Sequence, residues 1–257
     1  MFPVLRRQDR KNRLNRKGGL LMYYYGGYGM YNGTYLLVII GAILCLAASA
    51  HVKSTYRKYA RTASARGMTG AMVAEEILRR NGVLGVTVQH VSGELTDHYD
   101  PARGVVNLSD ATYNSTSVAA IGVAAHECGH VMQHETGYMP LRFRTALVPV
   151  ANIGSNLGIW IVMLGLMFGL NSTLAMIGIY LFSFGVLFQL VTLPVEFDAS
   201  RRALVMLQDY GILGQNEVVG SRKVLNAAAM TYVASAAASV LQLLRLLMLV
   251  NGGRRRR

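Results

Sequence analysis

The chain has 257 residues, of which 52% are hydrophobic and 15% charged, with a formal net charge of +13 and a mean hydropathy of +0.31. These proportions argue against an ordinary soluble protein and favour an integral membrane protein. The charge is also compatible with nucleic-acid binding, but the cations cluster beside apolar segments, where contact with anionic lipid is the commoner role. We therefore expect the lipid bilayer, and no nucleic acid, as partner of the basic clusters at residues 6–17, 53–66 and 254–257.

The first predicted elements are a tail and a membrane span. Residues 1–33 form a basic, Gly- and Tyr-rich N-terminal extension, and the apolar residues 34–52 are predicted to form transmembrane helix 1. A secretory signal is the alternative interpretation of the apolar stretch. The long extension before it and the lack of a clear cleavage pattern leading into a soluble domain argue against a signal.

Residues 53–146, between the first and second apolar segments, are predicted to form one folded region of helices and strands. A helix capped by Thr69 should end at Asn81-Gly82, followed by strand candidates at residues 83–91 and 104–108. The second, if it is an exposed edge strand, can pair with an extended substrate. The intervening string GELTDHYDPARG reads as turns, and a long helix should run from Asn114-Ser115 to near Gly137.

That helix carries AAHECGHVMQH, a His-Glu-x-x-His motif. His126 and His130 lie one helical turn apart and can bind one metal ion, with Glu127 beside them as general base. Such a string arises by chance in about 1% of chains of this length, but burying these groups without a partner is costly. His134 lies about 12 Å along the helix from His126, too far to share the ion. It is expected to be a second-shell or substrate-side group.

The third ligand is expected after a membrane hairpin. Residues 147–195 hold two apolar segments separated by only NST, so the chain returns to the face that it left. Glu196, at the start of a helical segment over 196–228, then lies on the motif's side and is the candidate ligand. Asp198 is the runner-up, and an interfacial Glu196 paired with Arg201 or Arg202 is the alternative. Residues 229–251 are a transmembrane or membrane-associated helix 4, and 252–257 a basic tail.

The strings VKSTYRKYA, GELTDHYDP, TSVAAIGVAAHECGHVMQH, LVPVANIGSNLG and LPVEFDASRRA resemble the bacterial YugP-like membrane zinc metallopeptidases, also called neutral zinc metallopeptidase type 2. The resemblance implies a membrane endopeptidase with His126 and His130 as ligands and Glu127 as base. Similarity to gluzincins of the HtpX and CAAX-processing type implies Glu196 as the third ligand. The gluzincin pattern has Asp four residues after that Glu, where this chain has Ser200. We therefore expect Asp198 or Asp110 to orient a ligand histidine.

Together these features predict a mainly α membrane protein with about four transmembrane helices and a small α+β zincin-like catalytic domain at the membrane surface. The predicted activity is Zn²⁺-dependent hydrolysis of peptide bonds in membrane or membrane-proximal proteins, by Glu127-assisted attack of zinc-bound water. The predicted location is the bacterial plasma membrane, crossed several times. Oxyanion stabilisation is expected from one of five candidates that the sequence does not rank: His98, Tyr99, His134, Arg201 and Tyr232.

Two other classes of protein compete with this interpretation. One is a non-catalytic membrane scaffold or assembly factor with a structural or vestigial zinc site, although structural zinc normally has four protein ligands. The other is a transporter, which would require paired intramembrane charges or broken helices. His98 and Asp198, like His134, are further candidates for second-shell or substrate-side groups.

Overall fold

The computed structural model describes residues 33–167 and 172–254. The predicted extension and basic tail lie outside them, apart from residue 33 and the backbone of residues 252–254. Six helices and three short strands follow one another along the described chain. They are α1 Tyr35–Tyr59, α2 Gly70–Arg80, β1 Thr87–Val91, β2 His98–Asp100, β3 Val105–Ser109, α3 Val118–Glu135, α4 Met139–Met167, α5 Ser172–Asp209 and α6 Gln215–Arg254.

Four of these helices, α1, α4, α5 and α6, are long and apolar enough to cross a membrane. The expectation of about four transmembrane helices is therefore confirmed at the level of length and composition. Each helix extends beyond its apolar segment: α1 continues through KSTYRKY, and α4 begins at Met139.

The apolar helices pack as two antiparallel pairs. In α4 and α5 the backbones meet at small residues: a Cβ added to Gly178 would lie 2.7 Å from the carbonyl oxygen of Gly158. In α1 and α6, a Cβ on Gly41 would lie 3.1 Å from Cβ of Ala238. Small residues at these crossings let helices approach closely where lipid supplies no hydrophobic driving force.

The elements between α1 and α4, which we call the surface region, include a mixed sheet of order β1-β3-β2, with β1 parallel and β2 antiparallel to β3. The strand expected at residues 104–108 is present as β3, but the condition that it be an exposed edge is not met, because β3 is central and its Val106 and Leu108 are fully buried. The edge next to the cleft is β2, which lies within the string expected to form turns. It is only three residues long and owes its conformation to pairing with β3.

Local capping signals set the ends of two helices. Thr69 Oγ1 accepts a hydrogen bond from Met72 N at 3.2 Å, and α2 ends at Asn81-Gly82, both as predicted. The motif helix α3 begins at Val118, later than predicted, since Ser117 and not Asn114-Ser115 is its N-cap. It ends at Glu135, followed by Gly137 with φ +62°.

One continuous helix, α5, carries both the third apolar segment and Glu196. Pro194 removes one intrahelical hydrogen bond, but the helix continues because its next turns pack on α3 and α6. Ala199, Ala203 and Leu207 are fully buried there. The same core contains Ile77 and Ile121, so the motif helix and the end of α5 form one packed unit.

Candidate metal centre

Two adjacent helices bring three ligand-type side chains together. His126 and His130 project from one face of α3, with ring centroids 4.7 Å apart. From α5, Glu196 Oε2 lies 3.3 Å from His126 Nε2 and 3.6 Å from His130 Nε2. Ligand-type atoms of all three residues lie within 4.8 Å of one another. The structure thus brings together the three predicted metal ligands.

The spacing of these atoms suits zinc. Ligands held tetrahedrally at about 2.0–2.2 Å from one ion are themselves roughly 3.4 Å apart, close to the two distances observed. Glu196 is 3% exposed, and its Oε2 is buried without a hydrogen bond among the described residues. Burying a carboxylate oxygen without a hydrogen-bond partner costs free energy unless a cation binds it. The donor set, two imidazoles and a carboxylate, is one that zinc uses with an open fourth position.

His130 is oriented by an amide that belongs to a larger network. Its Nδ1 lies 3.1 Å from Gln133 Oε1, and Gln133 Nε2 donates to Val195 O at 2.7 Å and to Asp198 Oδ2 at 3.1 Å. With Nδ1–H donating to the amide oxygen, the lone pair of Nε2 faces Glu196. The network therefore presents the tautomer of His130 that binds a metal.

Asp198 accepts a hydrogen bond from Gln133 and thereby belongs to this network. It is not one of the three clustered candidate ligands. Its carboxylate is paired with Arg201 and Arg202, with 2.6 Å between Oδ2 and Arg202 Nε. The two arginines thus bind Asp198, so the alternative in which they neutralise Glu196 has no geometric support. The Arg201 side chain is also 69% exposed and does not line the cleft.

His126 is oriented by Ser200, whose Oγ lies 3.1 Å from Nδ1. Ser200 is one turn after Glu196 on α5 and occupies the position where the gluzincin pattern has Asp. Asp110, one of two groups expected for this role, instead binds His90 Nε2 at 2.6 Å and Gly93 N at 2.8 Å in an exposed turn. The group that faces His126 Nδ1 is thus a neutral hydroxyl and neither of the two expected carboxylates.

Glu127 lies on α3 at the base of a cleft of about 760 Å³. It is 7% exposed, and burial raises the pKa of its carboxyl above the ordinary value for Glu. A raised pKa makes the carboxylate a better proton acceptor near neutral pH. Its position beside the clustered ligand atoms is what a general base requires.

The other predicted candidates are spread along the cleft wall. Tyr99 OH lies 3.4 Å from His134 Nδ1, and His98 Nδ1 lies 2.8 Å from Thr96 O. Tyr232, on α6, also lines the cleft and lies beside Glu127 and Glu196. His98 and His134 therefore line the cleft without joining the ligand group.

Arg144, on α4, is a cleft residue that the sequence did not single out. Its guanidinium lies 3.9 Å from Glu196 Oε1. The signal that marks it is a cation inside a helix otherwise apolar enough to span the membrane. It was missed because the hairpin was expected to begin after this residue.

Fold and site together define a class: a helical membrane protein with a candidate two-histidine, one-carboxylate metal centre at the base of a cleft. Within that class, the chain belongs to the family described as "Putative neutral zinc metallopeptidase", whose sequence model matches residues 34–251. It is 44% identical over 221 residues to the "Putative membrane protease YugP" of Bacillus subtilis (strain 168), covering 86% of this chain and 98% of that relative. No solved structure matches the chain. The family resemblance expected from the sequence is confirmed.

Proposed function

We propose that this protein is an integral membrane zinc endopeptidase that hydrolyses peptide bonds of membrane or membrane-proximal proteins. The observation that carries the proposal is the convergence of His126, His130 and Glu196 beside the buried Glu127, at the base of an open cleft. The name of the Bacillus subtilis relative supports the same activity. We also propose a multi-pass location in the bacterial plasma membrane, which the four apolar helices and the name of this relative support.

The proposed chemistry divides between an ion and the protein's own groups. Zinc held by His126, His130 and Glu196 supplies a Lewis acid that activates water and polarises a carbonyl. Glu127 accepts a proton from the attacking water and passes it to the leaving amine. Tyr232, which lines the cleft near Glu127 and Glu196, is the residue to which we assign a hydrogen bond to the carbonyl oxygen as negative charge develops there.

The cleft walls favour a substrate close to the bilayer. The cleft is lined by β2 and its flanking residues, by one face of α3, by the first turns of α4, by Glu196 of α5 and by Tyr232 of α6. Three of these five elements, α4, α5 and α6, are candidate membrane spans. We propose that an extended peptide lies along β2, the edge strand, and pairs with its main chain.

An open cleft also weighs against the scaffold alternative. A structural zinc site is normally closed by four protein ligands, whereas the ligand group in the described chain has three members and faces a cavity. The buried thiol of Cys128 is directed elsewhere, with Sγ 3.7 Å from Ala74 O. It therefore does not complete a fourth position.

The decisive test is Glu127→Gln in the full-length protein, purified in detergent and loaded with zinc. We expect one zinc per chain in both wild type and variant, and cleavage of casein or a quenched peptide by the wild type alone. A chelator should abolish the wild-type activity, and zinc should restore it. Equal cleavage by Glu127→Gln would refute the base assignment, and zinc binding without any cleavage would favour the scaffold.

A further inference from the structure

Arg144 lines the cleft and forms an ion pair with Glu196, one of the candidate metal ligands. It lies near the start of α4, and its 3.9 Å contact with Glu196 Oε1 is longer than a hydrogen bond. The ring of Phe188 lies 5.9 Å from its guanidinium carbon and supports one side. The side chain is 32% exposed, and its one ion pair among the described residues is that with Glu196. The guanidinium therefore retains N–H donors that face the cleft.

Charges in the cleft leave an excess of cations once the ion is counted. The lining carboxylates are Asp97, Glu127 and Glu196, and the lining arginines are Arg142 and Arg144. A bound divalent ion would offset the negative charges of two carboxylates. The positive charges of the two arginines then exceed the single negative charge of the remaining carboxylate. That third carboxylate, Asp97, accepts hydrogen bonds from Ser109 N and Oγ at 2.8 Å each and is thus already engaged.

We propose that Arg144, assisted by Arg142, binds a carboxylate of the substrate close to the scissile bond, so that the enzyme prefers acidic peptide segments. This inference rests on the proposed function. Ligand atoms lie about 2 Å from a zinc ion, which puts the guanidinium on the order of 6–8 Å from it. Successive residues of an extended peptide advance about 3.3 Å. The bound carboxylate therefore belongs to a residue one or two positions from the cleaved bond, or to a nearby chain terminus.

A lipid phosphate is the other anion within reach of the α4 end. Arg142 is exposed at this helix end, where cations commonly contact headgroups. Arg144 differs, since it is half-buried and directed at Glu196, inside the cleft and not toward the outer surface of the bundle. A planar guanidinium also matches a carboxylate through two parallel hydrogen bonds. The observations thus favour a peptide carboxylate for Arg144.

The test compares matched quenched peptides in zinc-loaded, full-length protein reconstituted in neutral-lipid nanodiscs. Members of the set carry Glu, Gln or Lys at each of the two positions on either side of the cleaved bond, and each is made with a free or an amidated C-terminus. For wild type we expect kcat/KM about tenfold higher for Glu than for Gln at one position. Arg144→Gln should lose that preference, while the matched exposed control Arg222→Gln should keep it. A preference seen only with the free C-terminus would identify the terminal carboxylate as the ligand.

A second readout does not depend on catalysis. Fluorescence anisotropy of the same peptides on Glu127→Gln, with and without Arg144→Gln, should show the same roughly tenfold loss of affinity for the acidic peptide. If the wild type cleaves nothing, this binding arm still tests the carboxylate site separately from the proposed function. An unchanged Glu preference in Arg144→Gln would overturn the inference. A variant Arg144→Gln that binds zinc less tightly but keeps the preference for Glu would also overturn the inference, because Arg144 would then only position Glu196. Loss of anionic-vesicle binding by Arg142→Gln, with peptide preference intact, would remove Arg142 from the site.

Discussion

The two ligand histidines are held by different kinds of group. His130 Nδ1 faces an amide that is itself fixed by Val195 O and Asp198. His126 Nδ1 faces the hydroxyl of Ser200, which can rotate and carries no charge. Partners of this kind set the tautomer and basicity of a metal-binding imidazole. We therefore expect that substitution of Ser200 changes the strength of the bond between His126 and the metal more than substitution around His130 changes the bond of His130.

Ser200→Ala should lower zinc affinity roughly tenfold, because His126 loses the group that orients it. Ser200→Asp should restore or exceed wild-type affinity, since a carboxylate accepts a stronger hydrogen bond from the imidazole. Competition with a fluorescent chelator gives the affinities. Ser183→Ala is the matched control on the same helix, because its hydroxyl donates to Ile179 O within α5 at 2.8 Å. Equal zinc affinity of Ser200→Ala and the control would show that the hydroxyl does not orient the ligand.

Tyr232→Phe should lower kcat by about 10²-fold with little change in KM. Its hydroxyl is proposed to bind the carbonyl oxygen more strongly as charge develops there. Zinc affinity should remain at the wild-type value, which separates this role from support of Glu196. Steady-state kinetics with one quenched peptide and a parallel zinc titration provide the two readouts. A variant with weakened zinc binding and normal turnover by its loaded fraction would exclude the catalytic role.

At the scale of single residues, the sequence predicts those site residues that are close to one another in the chain. His126, Glu127 and His130 are close in sequence, so helix geometry alone places them on one face. Glu196 required the additional rule that a short connection returns the chain to the same side of the membrane. Ser200 was passed over because only the register of α5 against α3 shows that its hydroxyl reaches His126. Such a register depends on packing, which no local pattern encodes.

At the scale of elements, the metal centre depends on close contact between α3 and α5. Gly129 lies between the ligand histidines, and a Cβ at this position would be 2.4 Å from the carbonyl oxygen of Ala199. Backbone cannot yield as a flexible side chain does, so the helices would have to separate. In the sequence this glycine was only a weak helix former, and the contact explains why it stands between the histidines.

Gly129→Ala should therefore destabilise the fold and weaken zinc binding. The substitution improves helix propensity by about 1 kcal/mol, but overpacking against α5 costs about 1–3 kcal/mol. It also displaces Glu196 from the imidazoles. Gly85→Ala is the control, because nothing lies within 4 Å of its added Cβ. Thermal unfolding with and without zinc measures both effects. An unchanged Tm and zinc affinity in Gly129→Ala would contradict the close contact.

Elements were predicted well where their signals are local and poorly where partners define them. The cap at Thr69 and the stop at Asn81-Gly82 are interactions between near neighbours in the chain. In contrast, β2 is three residues long and pairs with β3 across a turn that includes Gly104 at φ 65°. The central position of β3 follows from its two partners. Sequence alternation alone cannot distinguish a central strand from an edge.

For the whole molecule, helix pairing determines which parts share a membrane face. The guanidinium of Arg245 lies 4.9 Å from the ring of Tyr35, and a Cβ on Gly220 would lie 2.9 Å from the ring of Tyr59. Helices α1 and α6 are therefore antiparallel. The start of α6 lies with the surface region, since the added Cβ of Gly220 would also meet Val118. The sheet and the metal centre thus share one face with the end of α1, and the start of α1 and end of α6 lie opposite.

Single cysteines on the two faces should label from opposite sides of the membrane. Leu84 is 91% exposed on the surface region, and Asn216 is exposed at the start of α6; Gly33 and Asn251 are exposed at the other ends. Cys45 is replaced by Ser, whereas Cys128 stays, because burial raises the pKa of its thiol and leaves little reactive thiolate.

A membrane-impermeant maleimide is applied to right-side-out and inverted vesicles. Leu84→Cys and Asn216→Cys should label in one preparation, and Gly33→Cys and Asn251→Cys in the other, because an even number of spans returns the chain to its starting face. Labelling of Leu84→Cys and Asn216→Cys from different faces would mean that α4 and α5 do not both cross the bilayer. Glu196 and the motif helix would then lie on different sides of the membrane, and a metal shared between them would be excluded.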